Sequence, residues 1–143
     1  MKNPLYLAVL LGLAACGTPA KPDPRLATIQ AQHQQLLAAQ RESAAQEKDP
    51  ELIRLGRTAE AQKRFSDLVQ QSQANLASVA QLDPARSQEP AQIELVGVAA
   101  TKEAELLAAA KATVSYNAYQ IKAAAKRQRT LDSLSQIINA AKH

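Results

Sequence analysis

The sequence predicts an all-α protein, either a long antiparallel helical hairpin or a three-helix, coiled-coil-like bundle, carried behind a proline-rich tether. Three observations point there. The 143 residues are rich in Ala, Gln, Leu, Lys, Arg and Glu, with no Trp, one Phe and four Gly. Such a composition builds long helices and excludes a large aromatic core or a β-sandwich. Next, the prolines after Pro19 fall only in the tether or at the breaks between helical stretches. Finally, the last third of the chain keeps a heptad pattern for more than six repeats. The single Cys excludes an internal disulfide and any multi-cysteine metal centre.

The first fifteen residues read as a signal peptide. Met1-Lys2-Asn3 carries one positive charge, and the run from Leu5 to Leu13 is apolar but too short to span a bilayer, which needs about 20 residues. Residues 16–25 then form the tether, with Pro19, Pro22 and Pro24 favouring extended geometry at ~3.1 Å per residue.

Residues 26–143 make up the helical domain, with helices expected over about 25–47, 50–82 and 91–142. In the first, Leu26, Ile29, His33, Leu36 and Gln40 recur at steps of three and four. Asp49-Pro50-Glu51 then restarts the chain, the aspartate suiting an N-cap and the proline the first helical position. The second helix carries the stripe Leu52, Leu55, Ala59, Gln62, Phe65, Val69, Ser72, Leu76 and Val79. A connector with Pro84 and Pro90 follows.

With Ile93 as heptad position a, the a positions of the third helix are Ile93, Ala100, Leu107, Val114, Ile121, Gln128 and Ser135. The d positions are Val96, Glu103, Ala110, Asn117, Ala124, Leu131 and Ile138. Polar Glu103, Asn117 and Gln128 on this seam would favour one register. Fifty helical residues give a rod of ~75 Å, about as long as the first two helices together. The simplest packing is therefore a hairpin whose first arm is kinked at Pro50. A compact bundle would need the third helix to fold back near Ser115-Tyr116-Asn117. A homo-oligomer could use the same seam.

The stretch Leu13-Ala14-Ala15-Cys16, placed just after the apolar run, resembles the lipobox of bacterial lipoproteins. The resemblance implies that a diacylglycerol is attached to Cys16 after removal of residues 1–15, so that membrane lipid is one partner. In that family an Asp after the cysteine retains the protein at the inner membrane. Gly17 stands there instead, which implies the periplasmic side of the outer membrane.

No catalytic or cofactor-binding motif accompanies this address, and the expected protein is not an enzyme. His33 has no metal-ligand partner at helical spacing, and Glu103 and Glu105 point away from each other on a helix. Nucleic acid is an unsuitable partner, because no aromatic–basic interleaving is present. Two surfaces remain. Tyr116 and Tyr119, at heptad c and f, face away from the seam and either contact a partner or cover a neighbouring helix. Lys122, Lys126 and Arg129 share an exposed basic stripe. In a hairpin that stripe would return to the membrane end and could meet anionic headgroups.

The function expected from these features is a lipid-anchored spacer or assembly partner in an envelope complex. The alternative is a peptidoglycan-associated protein, by resemblance to the murein lipoprotein family, which couples through a C-terminal lysine; here Lys142 is followed by His143. An entry-exclusion or immunity lipoprotein is a third class.

Overall fold

Residues 22–143 are described by a computed structural model. Four α-helices follow one another: α1 (Pro24–Gln46), α2 (Pro50–Arg54), α3 (Arg57–Ala80) and α4 (Pro90–Ala141), with a 3₁₀ turn at Pro84–Arg86 before α4. No strand occurs among the described residues.

One dipeptide starts three of these elements. Asp23, Asp49 and Asp83 each stand in extended backbone, as a residue before proline must, and each carboxylate accepts the amide of the residue after the proline at 2.9 Å. Those amides would otherwise lack partners in the first turn. Pro24 therefore opens α1 and does not belong to the tether.

The helices run up, down and up. Arg25 of α1 donates to the Ile93 carbonyl at 3.1 Å and Gln46 donates to the Val114 carbonyl at 3.0 Å, both pairs 68 residues apart, so α1 and α4 are parallel. Ser72 meets Glu103 while Asn75 meets the Ala99 carbonyl, so α3 is antiparallel to α4. This is the three-helix bundle; the hairpin does not form. The compact alternative is realised without any fold-back of α4, which is straight through Ser115-Tyr116-Asn117. The chain turns back between Glu47 and Thr58, where the Thr58 hydroxyl donates to the Glu47 carbonyl at 3.3 Å, over a segment that holds α2 and ends at Gly56, where φ is +67°. The single helix expected over residues 50–82 is thus two helices, α2 and α3. Leu55, expected on the stripe, is 41 % exposed.

Two apolar clusters fill the bundle. Ile29, Val79, Val96 and Ala99 pack at the end where α1 begins. Leu36, Phe65, Leu68, Leu106, Leu107 and Val114 pack higher up. The buried residues of α4 occupy heptad positions a, d and g, from Val96 to Asn117. Position g is added because α4 packs against two helices and not one. Beyond Asn117 nothing on α4 is fully buried, and α2 closes that end with Leu52, which is buried, and an ion pair from Glu51 to Arg127 at 2.8 Å. Gln128, expected on the packed seam, is exposed.

Candidate functional site

Between the two apolar clusters lies a layer of four polar side chains. His33 of α1 places Nδ1 2.7 Å from Ser72 Oγ of α3. The Ser72 hydroxyl donates to Glu103 Oε1 of α4, and Asn75 Nδ2 donates to Glu103 Oε2 at 2.9 Å. The second amide hydrogen of Asn75 goes to the Ala99 carbonyl, also at 2.9 Å. With the serine proton committed to the carboxyl group, Nδ1–H of His33 is the donor to Ser72.

Serine, histidine and glutamate in one chain of contacts invite comparison with a hydrolytic triad, but the order differs. In a triad the imidazole lies between the acid and the hydroxyl, so that it can take the serine proton. Here the serine lies in the middle, and its oxygen already accepts one hydrogen bond and donates another. Ser72 and Glu103 are 0 % exposed, which leaves no approach for a substrate. The arrangement ties α1, α3 and α4 together at one level. Sequence reading could place His33, Ser72 and Glu103 on helix stripes, but their convergence depends on the turn back between Glu47 and Thr58.

Among the described residues no group of three or more His, Cys, Asp or Glu side chains converges to hold a metal ion, and no helix is long and apolar enough to cross a membrane. Cys16, Gly17 and the tether through residue 21 lie outside the described residues.

The surface candidates are all on α4. Tyr116 is 45 % exposed, with the Arg57 guanidinium carbon of α3 4.4 Å from its ring centroid. Tyr119 is 65 % exposed. Lys122, Lys126 and Arg129 are exposed. The up-down-up topology places them at the end opposite Pro22 and Asp23, not beside the tether as a hairpin would. From Arg25's contact at Ile93 to Arg129 the distance along α4 is ~54 Å.

Across the helix from this stripe lies an exposed apolar surface, two residues of which, Leu131 and Ile138, were expected on the packed seam. Leu131, Leu134, Ile137 and Ile138 are 50–65 % exposed; Leu131 edges a groove beside Asp49, Pro50 and Arg54 at α2, and the other three lie beyond it. A length comparison of separate helices could have exposed this, but only after the turn back before Thr58 was recognised.

Comparison with protein-family models, with curated proteins and with solved structures finds no match to this chain. The functional reading therefore rests on the chain's own residues and geometry.

Proposed function

We propose that this is a lipid-anchored protein of the bacterial envelope, acylated at Cys16, whose helical rod acts as a non-catalytic spacer and assembly partner on the periplasmic side of the outer membrane. The observation that carries the reading is the pairing of a lipobox at residues 13–16 with a helix, α4, that leads away from the tether end and outruns the bundle. At 1.5 Å per residue its 52 residues extend ~78 Å. The buried polar layer supports a structural role, since its serine has no access to solvent. Two or more acyl chains at Cys16 would hold the protein stably, as one chain holds only marginally.

Labelled palmitate should enter the wild-type chain and not Cys16→Ser; equal labelling of both refutes the anchor. Detergent extraction should then recover the protein in a stoichiometric complex, whether with other proteins or with copies of itself. Release as a muropeptide adduct by lysozyme would instead establish attachment to peptidoglycan.

A further inference from the structure

The far end of α4 sorts its side chains by chemistry around the helix. At about 100° per residue, Leu131, Leu134, Ile137 and Ile138 fall within an arc of about 120°, and each is at least half exposed. Tyr119, 65 % exposed, falls in the same direction as Ile137, about five turns before it. Leu131, Leu134 and Ile138 lie across from the basic stripe, and Ile137 with Tyr119 fills the angle between, so the apolar arc reaches the stripe at Lys126. Lys122 and Arg129 come next round on that edge, and Lys142 falls at the opposite edge, in the direction of Leu131. Among the described residues none of these four cations is ion-paired. The back of the helix carries Gln128, Asp132, Ser135 and Asn139. Asp132 is the sole acid from Tyr116 to His143, and its carboxylate accepts from Gln128 Nε2 at 2.8 Å on that same side.

Aliphatics at the centre, cations at both edges and the acid behind suit a helix that lies in the plane of an anionic lipid surface. The aliphatic side chains enter the acyl boundary, and a tyrosine is at home at headgroup level. The long stems of Lys and Arg let their charges reach back to the phosphates. A second copy of this chain matches the aliphatics but not the charge: it would bring four more cations, with Asp132 on its far side. The bundle leaves the approach open, because the buried residues of α4, from Val96 to Asn117, face about 120° away from the centre of the arc.

We infer that the end of α4, from Tyr119 to Lys142, is an interfacial binding surface for an anionic phospholipid bilayer. Leu134, Ile137 and Ile138 insert, and Lys122, Lys126 and Arg129 hold headgroup phosphates. The surface is separate from Cys16 and needs no acylation.

The test uses the full chain with Cys16→Ser, which removes its one cysteine. A new cysteine at Ala141, near the centre of the arc, or at Asn139, on the back, carries an environment-sensitive nitrobenzoxadiazole label. With vesicles of phosphatidylcholine and phosphatidylglycerol in equal parts, the label at residue 141 should brighten and shift to the blue, and the label at 139 should change little. Vesicles of phosphatidylcholine alone should shift neither, and added salt should weaken the response. Lys122→Gln, Lys126→Gln and Arg129→Gln together should raise the lipid needed for half the shift at least tenfold, with the melting temperature in place because all three are exposed. Leu134→Gln with Ile137→Gln should weaken the shift as well. No shift at residue 141 overturns the inference, as do equal shifts at 139 and 141 or a response indifferent to the triple substitution. A shift that grows with protein concentration in the absence of vesicles overturns it too, in favour of a helical partner. The run from Leu5 to Leu13 is common to every sample, so the contrast between labels reads α4. Because every sample lacks Cys16, failure here leaves the acylation reading to be decided by palmitate labelling.

Discussion

Ser72 holds its hydroxyl between an imidazole and a carboxyl group, and the cost of disturbing it falls on whichever partner is left behind. Glu103→Leu removes the acceptor for both Ser72 and Asn75. Each buried polar group so orphaned costs about 1–3 kcal/mol, a loss that chemical denaturation will read directly. Changing Ser72→Ala and Asn75→Leu in the same chain removes those two orphans and should recover part of that loss, the remainder being the His33 imidazole left without its Ser72 partner. Asn117 is the opposite case. It is 0 % exposed, and among the described residues neither its amide nitrogen nor its carbonyl oxygen has a hydrogen-bond partner. Asn117→Leu should therefore raise stability, by about 1–3 kcal/mol on the same scale. A fall in stability there would mean that the amide is satisfied in solution by a buried water.

Helix boundaries were legible because their chemistry is local. Asp49-Pro50 was read as a cap and a helix start, and the structure places one there; the same dipeptide at 23–24 and 83–84, assigned to the tether and the connector, caps α1 and the 3₁₀ turn in the same way. The break inside residues 50–82 was not legible, since steps of three and four carry the stripe across it from Leu52 through Leu55, Ala59 and Gln62 to Phe65. The local mark of the break is Gly56, whose positive φ is open to glycine and strained for a residue with a Cβ. Although a Cβ at Gly56 would touch nothing within 4 Å, Gly56→Ala should cost about 1–2 kcal/mol through backbone strain alone. Asn at that position should cost less. The short α2 adds a pH dependence. Hydrogen bonding from Arg54 foremost, with Arg127 beside it, holds the Glu51 carboxyl below the ordinary carboxylate value. A depressed carboxyl contributes stability that is present above the unfolded value of about 4.3 and is lost as pH falls through the folded value. Melting temperatures followed from pH 6 to pH 3 should therefore drop further for wild type than for Glu51→Gln, and the two curves should converge in acid.

At the scale of the whole molecule, the direction of α1 decides which end of the rod meets the tether, and composition and periodicity are silent on it. Hairpin and bundle bury the same kinds of residue and share the length of α4; they differ in whether α1 begins beside the start or the end of that helix. The hydrogen bonds from Arg25 to Ile93 and from Gln46 to Val114 fix the first arrangement. The two topologies make opposite demands on one distance. Ala27 of α1 is exposed and, at the same offset of 68, lies level with Leu95 of α4, so Ala140 is ~68 Å above it. In a hairpin the same two positions would be neighbours across the bundle. Both side chains are small and exposed, so Ala27→Cys and Ala140→Cys can carry a donor and an acceptor without touching the core. Single-molecule energy transfer at picomolar concentration, far below any self-association, should give low efficiency with a pair of 50 Å Förster radius. High efficiency would restore the hairpin and return Lys122, Lys126 and Arg129 to the tether end, where contact with anionic headgroups becomes possible. Low efficiency leaves those cations and the exposed apolar end of α4 at the end of the rod remote from Asp23; on the proposal that Cys16 is acylated, their partners would then be sought away from the anchoring membrane.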